Sequence, residues 1–291
     1  MSWHRRYRIQ FGYDGTHFHG SQIQPGVRTV QGELEVAAGR ITGHPVQFAF
    51  AGRTDRGVHA LGQVASGDLS WRSTPEQLAR ALQAVTPDDI VVQRVTLVND
   101  RFHARFSARS REYRYLIWTG PIPPILSRGW VWHIRRALDC PAMNAAGAML
   151  LGEHDFASFA GDGLGVPGDP EKRSTVRRVL DLDIAAIESA ESNTFGESRL
   201  LAVRIVANGF LPRMVRNIVG TLSEIGLGTN YDVTQLLKAK DRRLAPAPAP
   251  AHGLTFWRVN YDDRDEMAGS EGAWSMMSGV RPEPRGGGNQ T

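Results

Sequence analysis

Cysteine is all but absent from this chain. Cys140 is the only one in 291 residues, which excludes an internal disulfide and any metal cage built from several thiolates. A reducing cytoplasm is the simplest compartment for such a sequence. Long apolar runs are missing as well, and nothing approaches the ~20 residues a membrane helix requires. The opening Met-Ser-Trp-His-Arg-Arg-Tyr-Arg is basic but runs at once into Ile9-Gln10-Phe11-Gly12-Tyr13, too polar and too short for a secretory signal. The histidines show no metal-ligand spacing, and the glycine-rich stretch 161–168 lacks the spacing of a phosphate loop or dinucleotide site. A cysteine-cage metal site and a membrane-spanning helix are therefore not expected.

What remains is an ordinary globular composition, 41% hydrophobic and 22% charged, on a chain long enough for one large domain or two common ones. Net charge is +4 and the pI about 9.5. The excess is modest, so its placement matters more than its size. Arg101, Arg105, Arg109, Arg111 and Arg114 follow one another with only Glu112 in opposition, and Phe102, His103, Phe106 and Tyr113 are interleaved. Arginine with aromatics suits phosphate pairing and base stacking. A solvated arginine-rich strand or loop would read the same way.

The hydrophobic pattern predicts two rounds of strands and helices. Tyr7–Phe11 alternates as a strand. Thr29 caps a helix carrying Val30, Leu34, Ala37 and Ala38 to the Gly43-His44-Pro45 stop. Val46–Phe50 reads as a second strand, and Val58–Leu69 as a strand or extended loop. Ser73-Thr74-Pro75-Glu76 starts a second helix with Leu78, Leu82 and Val85 inward, and Ile90–Val98 closes the first round. The second round has strands at Glu112–Thr119, Val176–Ile184, Arg199–Ala207 and Leu254–Val259. Its helices run from Asp139 through Leu151, over Met214–Ile225 and over Val233–Lys240. Ala245–Pro250 alternates Ala and Pro and must be extended. The pattern predicts an α/β or α+β sandwich with helices over a sheet. The first round falls at 1–104, the second at 105–262 and a disordered Gly/Ser/Pro-rich tail at 263–291. The glycine-rich run 161–169 is expected to be mobile, and Phe195-Gly196 falls in the link between two strands.

One turn stands out chemically. In Phe50-Ala-Gly-Arg-Thr-Asp-Arg-Gly-Val-His-Ala-Leu-Gly-Gln63 a single carboxylate, Asp55, lies between Arg53 and Arg56 and is bracketed by Gly52 and Gly57. Guanidinium neighbours favour an ionised carboxylate, and glycine permits a tight turn and the close approach of another chain. The group fits an oxygen nucleophile beside an anion held by arginines. It also fits a surface turn in which Asp55 merely caps a helix.

Several further stretches decide between these. Phe50–Gln63, Phe102-His-Ala-Arg-Phe-Ser107, Arg111-Glu-Tyr-Arg-Tyr115 and Met214-Val-Arg-Asn-Ile-Val-Gly-Thr-Leu222 together resemble the bacterial tRNA pseudouridine synthase A family. Tyr13-Asp-Gly-Thr16, Thr29-Val-Gln31, Asp155-Phe-Ala-Ser-Phe159 and Ala251-His-Gly-Leu254 fit the same family, so the likeness spans about residues 5 to 262. The resemblance implies the pseudouridine synthase fold, two α/β-sandwich domains sharing a central antiparallel-rich sheet with the site between them, and it makes 1–104 the catalytic α+β unit. It implies a cytoplasmic homodimer that isomerises uridine on the 3′ side of the tRNA anticodon stem-loop without metal or cofactor. Arg5, Arg6, Arg8 and the strip 105–114 would hold phosphates. The family's nucleophile falls on Asp55, its base-stacking tyrosine on Tyr113, the arginine paired with the carboxylate on Arg216, and a leucine near the base on Leu254. Arg53 matches an arginine tied to base extrusion. Plainer readings stand beside these: Tyr113 and Leu254 as core, Arg216 as a surface helix residue. His59 and His103 suit structural or phosphate-contacting roles as well as proton transfer, and Asp14 and Asp155 read as turn and cap residues. An enzyme of the same fold acting at another RNA site, and an RNA-binding protein without turnover, remain open.

Three positions depart from the family pattern: Ser21 where a Trp is expected after Gly20, Arg56 in place of the usual Ala, and Gln83 where Asn is expected. None removes a catalytic group. They leave the range of substrates open.

Overall fold

The computed structural model describes residues 4–161, 174–194 and 198–262. The expectations for 162–169, for Phe195-Gly196 and for the tail 263–291 lie outside the described residues.

In chain order the elements are β1 (His4–Tyr13), α1 (Val30–Thr42), β2 (Ala49–Phe50), β3 (His59–Ser70), α2 (Pro75–Val85), β4 (Ile90–Leu97), β5 (Ser110–Thr119), β6 (Trp132–Ile134), α3 (Cys140–Ala148), β7 (Gly152–Asp155), β8 (Val176–Ile187), α4 (Ala190–Thr194), β9 (Arg199–Ala207), α5 (Met214–Gly226), α6 (Val233–Ala239) and β10 (Leu254–Asn260). Helices α1, α2 and α3 begin where the polar residues predicted. The Thr29 and Thr74 hydroxyls accept from Gly32 N–H and Gln77 N–H, and the Asp139 and Asp232 carboxylates accept from the first turns of α3 and α6. Each such cap stabilises its helix by about 1 kcal/mol. Gly43, at φ 77°, ends α1 as a left-handed cap.

All described strands join one sheet in the order β4-β1-β3-β10-β5-β9-β8-β7, with β2 beside β3 and β6 beside β5. Pairing is antiparallel except at β10–β3 and β5–β6. The last strand therefore returns to the middle. It runs parallel to β3, with Thr255 opposite His59, and antiparallel to β5, with Leu254 opposite Tyr115. One hydrophobic core runs beneath both halves. Ile9, Phe11, Leu34, Leu78 and Leu82 fill the first half, and Tyr115, Ile117, Val203, Ile205, Ile218 and Leu222 the second.

The predicted elements are present, with differences at short range. The helix expected to reach Leu151 ends at Ala148, because Met149, Leu150 and Leu151 N–H groups turn back to carbonyls three residues earlier. Gly152–Asp155, expected only to end that helix, pairs with β8 as strand β7. β6 is three residues long and exists through its partner β5, so no local pattern announces it.

Strand alternation sends neighbouring residues of β5 to opposite faces. Arg111, Tyr113 and Tyr115 face one way. Glu112 faces the other, fully buried, and is ion-paired with Arg114 at 2.9 Å, Arg204 at 3.3 Å and Arg258 at 2.8 Å. A buried carboxylate is costly unless paired, and these three arginines from three adjacent strands supply the pairing. Glu112 thus anchors the back of the sheet rather than opposing the basic strip.

Candidate active site

A cleft of about 1260 Å³ opens where the two halves of the sheet meet at β10. Asp55, Arg53, Tyr113, Arg216 and Leu254 all line it, so the structure brings together every residue singled out by resemblance.

The loop bearing Asp55 is held at nearly every step. Ala51 N–H donates to the Val64 carbonyl at 2.8 Å, and the Gln63 side chain donates to the Gly52 carbonyl at 2.9 Å. A Cβ on Gly52 would lie 2.8 Å from the Phe256 ring, so this turn needs glycine for the ring to seat. Thr54 is gripped three ways. Ser21 N–H donates to its carbonyl, its own N–H donates to Ser21 Oγ at 2.9 Å, and its hydroxyl meets the Tyr13 hydroxyl at 2.7 Å. Burial pushes the Tyr13 phenol up to about 12, so it stays a neutral hydrogen-bonding group. Gly57, at φ 78°, turns the chain into β3.

Asp55 receives Arg216 Nη1 on its Oδ2 at 3.0 Å. Among the described residues Oδ1 has no hydrogen-bond partner. The side chain is 38% exposed against 16% for Arg216, so the carboxylate is the open member of the pair and the guanidinium the supported one. The support comes from the Ala-Pro strap. Arg216 Nε donates to the Ala249 carbonyl at 2.8 Å, and Ala249 N–H donates back to the Arg216 carbonyl at 3.0 Å. A guanidinium with two fixed acceptors has a fixed direction.

Tyr113 sits on β5 beneath this pair. Its ring is 7% exposed and is met nearly edge-on by Phe210 and Phe256, each at 4.9 Å. Its hydroxyl donates to the Arg53 carbonyl over a long 3.4 Å. Burial first, then the charges of Tyr13 and Asp55, hold its phenol far above the usual range, so it stays protonated and can donate a hydrogen bond. Leu254 is buried at the head of β10 beside Phe256. Arg53 and Arg56 are exposed on the loop and line the cleft.

Other predicted residues fall elsewhere. His59 is buried behind the loop, stacked on Trp130 at 4.6 Å, with Nδ1 accepting from Gly15 N–H and lying 3.1 Å from Asp14. His103 lines the cleft, but its Nδ1 accepts from Arg105 N–H at 3.1 Å, so it shapes a turn. Asp14 accepts from Thr16, and Asp155 from Ala157 N–H and the Thr175 hydroxyl, as turn and cap residues do. Gln83 accepts from Val92 N–H at 2.7 Å, joining α2 to β4 far from the cleft. Among the described residues no three His, Cys, Asp or Glu side chains gather as metal ligands, and no helix is long and apolar enough to cross a membrane.

Sequence reasoning missed Phe210, Phe256 and the function of Arg111. The Arg111 guanidinium is buried and spends its donors on backbone carbonyls. It reaches Ala51 at 3.1 and 3.3 Å, Ala108 at 3.4 Å, Asn208 at 2.8 Å and Arg105. No carboxylate neutralises it among the described residues. It ties the Asp55 loop, the 105–108 turn and the Phe210 turn into one cleft wall.

Comparison with known proteins bears on this geometry. A family model described as tRNA pseudouridine synthase matches residues 10–107 and 146–262. The chain is 45% identical over 263 residues to the tRNA pseudouridine synthase A of Geobacillus kaustophilus, covering 89% of this chain and 95% of that one. It is 44% identical over 259 residues to the protein of that name from Chloroflexus aurantiacus, covering 88% and 89%. With that of an Exiguobacterium species it shares 39% over 263 residues, 90% of this chain and 100% of the other. Among solved structures, a chain of a Cbf5-Nop10-Gar1 complex overlaps at a TM-score of 0.27 and 13% identity, over 76% of this chain and 54% of that one. That likeness is too slight to argue from.

Proposed function

Because this chain belongs to the tRNA pseudouridine synthase A family, we propose that its cleft converts uridine to pseudouridine in the tRNA anticodon stem-loop, with Asp55 as the nucleophile. The enzyme is an RNA isomerase of the pseudouridine synthase fold. The observation that carries the residue assignment is the Asp55–Arg216 pair. One carboxylate oxygen is held at 3.0 Å, and the other is open to a cleft large enough for an extruded nucleotide.

The chemistry follows from that arrangement. The N1–C1′ bond breaks, uracil turns, a C5–C1′ bond forms, the C5 proton leaves and N1 gains one. Substrate and product are isomers, so no net oxidant or reductant enters. Asp55 can serve by attack at C1′ or C6, or as a base at C2′. Covalent attack would split one hard step into easier ones. Arg216 fixes the direction of the carboxylate. Tyr113, held protonated, offers a flat face to the base and a hydroxyl that can hydrogen-bond or relay a proton, and Leu254 packs beside it. Taking the uridine from its stack costs roughly a few kcal/mol, and Arg53 at the mouth of the cleft suits insertion and phosphate contact to offset it.

The same reading includes a homodimer in the cytoplasm with tRNA laid across both subunits. Exposed Ile122, Ile125, Leu126 and Trp130 offer an apolar surface to a second copy, and light scattering would give the mass. It also treats 1–104 and 105–262 as two units, a division supported by the β4–β5 break and by the two sheet halves meeting at β10.

The test is incubation of unmodified tRNA with wild-type protein and with Asp55→Asn, followed by mapping of pseudouridine. Product in the anticodon stem-loop from wild type, and none from the variant, is expected. Product at another position would assign a different RNA site. Binding without product would leave an RNA-binding protein, and undiminished turnover by Asp55→Asn would remove Asp55 from the chemistry.

A further inference from the structure

Phe106 is 76% exposed, yet it stands at the mouth of the cleft rather than on an outer surface. Its ring lies 4.4 Å from the His103 ring, and the Arg105 guanidinium is 5.6 Å from its centroid. The turn beneath is built, not loose. His103 N–H donates to Ser107 Oγ, Ser107 N–H donates to the His103 carbonyl, and the Arg105 carbonyl accepts from buried Arg111. A fixed backbone thus presents a phenyl ring to open space.

The charges around it are unbalanced. Among the described residues the Arg105 guanidinium has no acidic partner, and Arg177, on the same cleft, uses Nη1 on the Ser174 and Val176 carbonyls at 2.7 and 2.6 Å. Burial first, then the Arg105 charge, works against protonation of Arg111 and Arg177, and burial, then Arg6 and lastly Arg105, works against protonation of His103. Cations that disfavour one another in this way are relieved by an anion among them. The cleft, about 1260 Å³, also exceeds the ~300–1,000 Å³ of small-ligand pockets, so it has room beyond one extruded nucleotide.

We propose that the 103–106 turn with neighbouring Arg177 is a second nucleotide subsite, in which Phe106 stacks on an unpaired base flanking the target uridine and Arg105 and Arg177 hold its phosphate. This rests on the reading of the cleft as an RNA site and adds a contact outside the reacting residue. Stacking on an exposed ring is tolerant of base identity. The subsite therefore selects for an unpaired neighbour, not for a sequence.

The experiment uses an anticodon stem-loop RNA and a set of the same RNAs in which one flanking base at a time is replaced by an abasic sugar. Phe106→Ala should weaken binding roughly five- to a hundred-fold, while Phe106→Trp stays within about two-fold, since any aromatic face can stack. On one abasic RNA the Phe106→Ala effect should vanish, because the stacked base is already gone. Arg105→Gln should lower the slope of log K against log salt by about one. Equal affinity of Phe106→Ala and wild type, with both melting at the same temperature, would overturn the subsite. So would an undiminished Phe106→Ala effect on every abasic RNA. A wild-type protein that forms no pseudouridine in any RNA would instead overturn the function proposed for the cleft.

Discussion

Arg216 and Asp55 lie 161 positions apart in the chain and 3.0 Å apart in space. Asp55 stands on the loop before β3 and Arg216 on α5, and the extended 245–250 strap holds the arginine from behind. The geometry of the Asp55 carboxylate therefore depends on an element that holds its partner rather than Asp55 itself.

Replacing Arg216 tests that dependence. Arg216→Gln cannot reach Ala249 and Asp55 together, and Arg216→Lys supplies charge without the two-point grip. Misplacing a reacting group by about 1 Å costs on the order of a hundred-fold in rate. Both variants should lose about that much in single-turnover pseudouridine formation while binding tRNA within a few-fold. Full activity in Arg216→Lys would show that charge alone suffices.

Ser21→Ala removes the acceptor for the buried Thr54 N–H. An unsatisfied buried donor costs about 1–3 kcal/mol, a fall in melting temperature of roughly 2–12 °C for a domain of this size. The rate should fall further than stability alone explains, because Thr54 precedes Asp55, the proposed nucleophile. An unchanged melting curve would show that the Ser21 grip contributes nothing.

Alkaline pH reads the buried phenols. Burial raises Tyr13 to about 12, and Tyr113 and Tyr115 are raised as well. Their folded values exceed the ordinary value of about 10, so the folded state keeps protons that the unfolded state loses. Their contribution to stability is complete below pH ~10 and is lost as pH rises through the folded values. Denaturant unfolding should weaken above pH ~10, and less steeply in Tyr113→Phe. In the same variant the rate profile between pH 8 and 10 should keep the wild-type shape, since Tyr113 does not ionise there. A wild-type limb near pH 10 that vanishes in Tyr113→Phe would contradict this.

Salt tests the arginines at the cleft mouth. Affinity for tRNA should drop about 10³- to 10⁵-fold between 50 and 200 mM salt if six to ten phosphates are contacted. Arg53→Gln should reduce the slope by about one. Affinity that stays flat over this range would argue against a phosphate-lined cleft.

Much of the architecture was legible because it is written locally. Thr29, Thr74 and Asp139 cap helices at the predicted positions, and the alternation of Arg111 to Tyr115 assigns a strand with two unlike faces. Gly52 and Gly57 marked a turn that needs glycine on both sides of Asp55. The motifs also named Tyr113, Arg216 and Leu254 by resemblance, though no spacing in the chain says that they converge.

Short-range physics of caps, periodicity and turns settled the elements in advance, because each depends on neighbours within a few residues. The tertiary structure alone decided that β10 returns between β3 and β5, that Arg216 meets Asp55, and that Arg111 is spent on carbonyls while Glu112 beside it gathers Arg114 of its own strand and Arg204 and Arg258 of the two neighbouring strands. Those outcomes turn on which distant backbone or charge fills the space around a side chain, and no local pattern carries that information.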